Sequence, residues 1–183
     1  MSIDEIVVRR ANREDLSQIV EVAKQTFPQD FQFDGGFSDR ECKHLFENAL
    51  RDQNEDVYVA AKNTHVLGFA YYINKPPTNG TVILEMMGIR TNLQGQGIGT
   101  KLTAESADQI AHYLREHGIS NIATIYLTVS SDNLVAQRAY KKAGYEKIVE
   151  AFGLVGEGGS EIIMIKRVGD AAYRQGIWTK PKP

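Results

Sequence analysis

Residues 94–99, Gln-Gly-Gln-Gly-Ile-Gly, set three glycines at alternate positions between a strand-like run and a long helical stripe. Glycine lets the backbone pass close to a ligand with no Cβ in the way. The helix that follows presents unpaired N–H groups and the positive end of its dipole. Such a turn is an anion cradle suited to phosphates. Two common phosphate motifs do not fit: counted from Gly95, Thr100 and Leu102 break GxxxxGK[ST], and glycines at 95, 97 and 99 have the wrong last interval for GxGxxG. A plain turn before a helix is the alternative for the glycines alone. Upstream, Glu85 is the only charge in the run VILEMM, residues 82–87. A lone carboxylate there is costly to bury unless water or a cation is near. Counting by twos, Glu85 shares a face with Ile83 and Met87, opposite Val82, Leu84 and Met86. An apolar setting would raise its pKa and make it a better base; a structural ion pair is the alternative.

The elements that must hold these residues follow from periodicity. Residues 5–10 read as a strand, and from Asn12 the residues Leu16, Ile19, Val20, Ala23 and Phe27 form one apolar helical stripe ended by Pro28. Ser38 and Glu41 make a capping-box pair for a second helix through Cys42, Leu45, Phe46 and Ala49. Strands are expected at 56–61 and 66–73 around a turn at Asn63-Thr64, and at 81–89 after a proline-rich loop at 76–80. A long helix spans about 97–117, with Ile98, Leu102, Ala107, Ile110, Ala111 and Leu114 inward and Gly118 as its stop. A strand at 121–129, a helix from the Ser131-Asp132-Asn133 cap to about Ala143, and strands at 145–154 and 161–167 complete the chain. The order β-α-α-β-β-β-α-β-α-β-β implies an α/β fold, a mixed central sheet of about seven strands with helices on both faces. Residues 1–168 form one domain, followed by a polar tail at 169–183.

The pattern Gln94-x-x-Gly97-x-Gly99 after Met87-Gly88-Ile89 resembles the acetyl-CoA-binding signature of the GNAT superfamily of N-acetyltransferases. A second signature follows at the expected place, Asn133-Leu-Val-Ala136, Tyr140 and Gly144-Tyr145. The resemblance covers essentially the whole chain, and the element order matches the GNAT fold. One departure is Thr91, where many relatives carry proline. The resemblance implies that the fourth strand splays from the fifth, with Gly88 marking a bulge, and that the backbone of Met87, Gly88 and Ile89 bonds the pantetheine arm of acetyl-CoA. The amides of Gly95, Gln96, Gly97, Ile98, Gly99 and Thr100 would hold the pyrophosphate, with Gln94 in the same turn, and Asn133 would reach the CoA arm or cap its helix. Lys101 and Arg90 are further candidates for phosphate charge.

Under that resemblance Tyr140 is the acid to the CoA sulfur, a core tyrosine being the alternative, and Glu85, or water it orders, is the base. A base is needed because an alkylamine near pKa 10.4 costs on the order of 4.6 kcal/mol to deprotonate at pH 7. Tyr126, Tyr71 and Tyr72 are weaker candidates to line the acceptor pocket. The segment 25–40 carries Asp30, Asp34 and Asp39 with Phe27, Phe31, Phe33 and Phe37, an acidic and aromatic mouth suited to a cationic amine. A polyamine-acetyltransferase-like activity follows, with a protein N-terminal or lysine acceptor, an antibiotic amine, or a non-catalytic acyl-CoA-binding module as alternatives. A nucleotide-phosphate enzyme using the glycine turn is a further one.

Composition narrows the partners. The 183 residues carry 21 Lys and Arg against 23 Asp and Glu, a formal charge of −2, so no basic field exists to hold nucleic acid. The N-terminus lacks the basic-then-apolar order of a signal peptide, and no run approaches the ~18 apolar residues of a membrane helix. The single Cys42 makes no internal disulfide, which points to the cytoplasm. No histidine pattern indicates a metal, and a homodimer is compatible with the resemblance.

Overall fold

A computed structural model describes residues 2–28, 38–74, 80–117, 124–152 and 159–168. Residues 29–37, 75–79, 118–123, 153–158 and 169–183 lie outside the described residues, and with them Asp30, Asp34, Phe31, Phe33, Phe37 and Gly118. The chain folds in the expected order: β1 Val7–Arg10, α1 Leu16–Thr26, α2 Asp39–Ala49, β2 Glu55–Lys62, β3 His65–Ile73, β4 Thr81–Ile89, α3 Ile98–Glu116, β5 Thr124–Ser130, α4 Leu134–Lys142, β6 Glu146–Phe152 and β7 Ser160–Arg167. Seven strands make one sheet in the order β1-β2-β3-β4-β5-β7-β6. β4 and β5 run parallel, as a crossover through α3 requires, and every other neighbour is antiparallel.

Local chemistry explains the boundaries. Asn12 and Asp15 form a capping box on the short 3₁₀ turn that opens α1, and Ser38 and Glu41 form the one that opens α2. The β2–β3 hairpin turns at Asn63, whose φ of 53° suits asparagine in the left-handed region. One core lies under α3 and α4, with Leu102, Ile110, Leu114, Ile125 and Met164. A second lies under α1 and α2, with Ile19, Phe46, Phe69 and Tyr71. Cys42 is in the second core at 2% exposure, a small buried apolar group as its stripe predicts.

β4 departs from simple alternation. Tyr71 pairs with Met86 and Tyr72 with Leu84, which leaves Glu85 as the extra residue of a β-bulge. One added residue moves the following side chains to the opposite face. Val82 and Leu84 before the bulge and Met87 and Ile89 after it therefore all meet the α3–α4 core, while Met86 packs on the other. Two expectations are corrected: Glu85 and Met87 do not share a face, and the bulge is not at Gly88, which pairs in register with Phe69. Gly88 serves close packing instead, since a Cβ there would lie 2.8 Å from both Phe69 Cε1 and Thr26 Oγ1 at the end of α1.

Candidate active site

β4 and β5 pair only from Thr81–Thr124 to Ile83–Tyr126 and then part. Their separation opens a cleft of about 710 Å³, walled by the diverging strands, the start of α3, one flank of α4 and the end of α1 at Thr26 and Phe27. Arg90 donates its N–H back to Leu67 O of β3 at 2.9 Å. Strand alternation then turns the backbone groups of Met87 and Ile89 toward the cleft and those of Gly88 away. Met87 and Ile89 line the cleft; Gly88 is buried behind it. The Ile89 carbonyl already accepts a bond from Gln94 Nε2 at 3.2 Å, so Gln94 ties the glycine turn to the strand end.

That turn has the geometry of an anion cradle. Gly95 and Gly97 have φ of 76° and 85°, a region that costs other residues energy. Gly97 caps α3 without a side chain, and Lys101 makes the first helical bond, to Gly97 O at 3.0 Å. The N–H groups of Ile98, Gly99 and Thr100 precede that bond and remain at the positive end of the helix. A Cβ on Gly95 would meet nothing within 4 Å, so the space above the turn is open. These donors and this room fit a pyrophosphate. Gly95, Gly97, Gly99 and Thr100 line the cleft, whereas the Ile98 side chain anchors the turn in the core and Gln96 Nε2 bonds Asn92 O at 3.4 Å. Lys101 and Arg90 are committed elsewhere: Lys101 Nζ pairs with Glu105 at 2.7 Å, and Arg90 pairs with Glu21 at 2.9 Å and donates to Val66 O at 2.7 Å.

Tyr140 stands on the α4 wall, 8% exposed. Its hydroxyl takes part in no hydrogen bond among the described residues, and burial pushes its pKa up to about 12. Its ring lies 6.0 Å from that of Tyr145, whose own hydroxyl is buried close to that of Tyr72. Asn133 Oδ1 accepts from Ala136 N at 3.1 Å and so caps α4. Its amide nitrogen has no partner among the described residues and opens on the cleft, so the two readings of Asn133 are compatible. Glu85 reaches the cleft from the bulge, but as an exposed carboxylate and not in the apolar setting expected from its strand. Tyr71 and Tyr72 are core residues: Tyr71 Oη donates to buried Glu55 at 2.6 Å, and Tyr72 Oη shares a hydrogen with Ser106 Oγ at 2.7 Å. Tyr126 pairs with Ile83 where the strands last touch and does not line the cleft.

Three charged residues on the walls were not anticipated: Arg138 and Lys142 of α4, and Glu161 of β7. Burial, with the nearby charge of Asp132, holds the Glu161 carboxyl above its ordinary pKa. Arg138 and Lys142 were legible as a basic pair four apart on one helix; nothing in the sequence marked Glu161, because its position depends on the β5–β7 register that pairs it with Ser130.

Residues 16–145 match the family model described as the acetyltransferase (GNAT) family. A search of curated protein sequences finds no significant match. Several solved structures share the fold. Spermidine N-acetyltransferase from Vibrio cholerae, solved with CoA and spermine, is 20% identical at a TM-score of 0.69, covering 90% of this chain and 96% of that one. The ribosomal-protein-S18-alanine N-acetyltransferase of Escherichia coli is 17% identical at 0.64, covering 91% and 96%. A GNAT-family acetyltransferase from Streptococcus pneumoniae is 17% identical at 0.66, covering 90% and 99%. At these identities the likeness is one of fold.

Proposed function

The chain belongs to the acetyltransferase (GNAT) family, an acetyl-CoA-dependent N-acetyltransferase, and from that premise we propose that it moves the acetyl group to a primary amine of a small cationic acceptor such as a polyamine. The observation that carries the reading is the meeting of three features in one cleft: parted strands, a glycine turn with no side-chain cap, and Tyr140 with Glu85 on the walls. When bound, acetyl-CoA supplies the thioester carbonyl. The 95–100 turn holds its pyrophosphate, and the backbone of Met87 and Ile89, with Asn133, aligns its arm.

The acceptor nitrogen attacks the carbonyl carbon directly in a ternary complex; a C–N bond forms and the C–S bond breaks. Glu85, or water it orders, takes the ammonium proton before attack, and the proton that the nitrogen sheds after attack passes to solvent, which in turn protonates the thiolate. Tyr140 acts at the sulfur. With its pKa near 12, full transfer of its proton to a thiolate whose thiol titrates near ~8.5 is uphill by roughly 5 kcal/mol. Its contribution is therefore a hydrogen bond that strengthens as charge develops on sulfur, with final protonation from water. Glu85 and Glu161 make no ion pair among the described residues and line the cleft, which supports a cationic acceptor, since a carboxylate attracts an ammonium group.

On the same reading the enzyme works in the cytoplasm on small amines or peptide amines; among the described residues no helix is long and apolar enough to cross a membrane. Exposed Ile148, Val149 and Phe152 on the edge strand β6 support a homodimer. Initial rates with polyamines, peptides bearing free N-termini and aminoglycosides at equal concentrations test the acceptor class. The highest kcat/KM is expected for a polyamine, and a preference for peptides would replace that acceptor.

A further inference from the structure

The helix that carries Tyr140 is docked by an amide. Leu134 and Val135 in the first turn of α4 are exposed at 56% and 58%, and the two side chains that α4 buries are Gln137 and Tyr140. A helix held by apolar burial alone would turn Leu134 or Val135 inward. A buried amide is costly unless its hydrogen bonds are made. Those of Gln137 are: its Nε2 donates to Ser130 O at 3.1 Å and to Ser131 O at 3.0 Å. Ser130 is the last residue of β5, and Ser131 opens the turn that leaves it. That turn is itself fixed, since Ser131 N donates to Ser160 O of β7 at 2.8 Å and Asn133 N donates to Ser130 O at 3.1 Å. Gln137 therefore fastens α4 to a strand end that the sheet already holds.

Tyr140 follows three residues later, on the same buried face. Its hydroxyl makes no hydrogen bond among the described residues, so the position of that oxygen is inherited from the helix and its packing. Gln137 does not line the cleft. A rotation or slide of α4 at Gln137 is nonetheless carried to the phenol, and a displacement of about 1 Å at a reacting group can cost about 10²-fold in rate. Resting on the reading above that Tyr140 acts at the CoA sulfur, we infer that Gln137 is a positioning residue, whose amide clamp on Ser130 and Ser131 sets where the Tyr140 hydroxyl stands against the thioester.

A double-mutant cycle between Gln137→Met and Tyr140→Phe tests this, read by kcat and by the Kd for acetyl-CoA. Met matches Gln in length and has no N–H to donate. Gln137→Met alone is expected to lower kcat about tenfold. The Kd is expected to change by less than about twofold, because the glycine turn and β4 make no hydrogen bond to Gln137. In Tyr140→Phe no hydroxyl remains to be placed, so adding Gln137→Met there is expected to leave kcat unchanged. The same fold loss in both backgrounds, or an unchanged kcat in Gln137→Met, overturns the inference and leaves the reading of Tyr140 intact. A Tyr140→Phe enzyme that keeps the wild-type kcat overturns that reading and the inference with it. Should Gln137→Met not fold, as circular dichroism shows, Gln137→Leu carries the same cycle; failure of both to fold makes Gln137 a structural residue only and overturns the inference.

Discussion

Ile83 and Tyr126 are the last residues that β4 and β5 pair before the strands diverge. Two residues beyond Ile83, the bulge at Glu85 bends β4 and redirects its side chains, so the split and the candidate base arise from one local irregularity. On the proposed function the donor would lie in the gap and the acceptor would approach past the bulge.

Tyr140→Phe separates catalysis from binding. Loss of the hydroxyl is expected to lower kcat by about 10²-fold or more, the range for removing one preorganised hydrogen-bond donor to developing charge. The Kd for acetyl-CoA and the melting temperature are expected to hold, because the hydroxyl makes no hydrogen bond among the described residues that the variant would break. Equilibrium binding beside steady-state rates checks both.

The pH profile carries a second expectation. Burial holds the Tyr140 phenol near 12, above its ordinary value, so its proton is present at every pH below that. No fall in kcat from ionisation of Tyr140 is expected up to about pH 10, where less than a tenth of a phenol with that pKa would be ionised. A rate profile from pH 6 to 10 checks this, and a descending limb near pH 8 that vanishes in Tyr140→Phe would show that the phenol titrates far lower.

Glu85→Gln is expected to cost about 10²-fold in kcat/KM near pH 7. The loss should narrow as pH rises, because an acceptor amine near pKa 10.4 then arrives increasingly deprotonated and has less need of a base. Profiles of wild type and variant with the same amine decide it; a loss independent of pH would assign Glu85 to amine binding.

How much of this was legible in the sequence depended on the kind of signal. The helical stripes predicted the buried faces of α1 and α3, and the Ser38–Glu41 pair predicted the start of α2, because both are local properties. The bulge was not legible, since counting Ile83, Glu85 and Met87 by twos assumes a regular ladder and one extra residue breaks it. Gly88 was read as the irregular position, whereas its lack of a Cβ answers to Thr26 and Phe69, distant in sequence. Lys101 and Arg90 looked free for phosphate; the Glu105 partner of Lys101 is four residues away and could have been counted, but Glu21, the partner of Arg90, comes close only in the fold.

Gly97→Ala tests the cradle. Its φ of 85° is unfavourable for alanine, and the added Cβ would stand 3.0 Å from Ile3 Cδ1. The strain is expected to cost about 1–2 kcal/mol of stability or to be relieved by moving the turn. In either case acetyl-CoA binds more weakly, which calorimetry and thermal denaturation together measure.

The most direct test is a single-turnover reaction with acetyl-CoA, first alone and then with spermidine, following free thiol and the masses of protein and amine. Direct transfer predicts no acetylated protein and no rapid thiol release without the amine, then stoichiometric thiol and N-acetylated spermidine once it is added. A protein that binds acetyl-CoA but releases no thiol with any amine would contradict catalysis, and an acetyl-protein intermediate formed before amine is added would contradict direct attack.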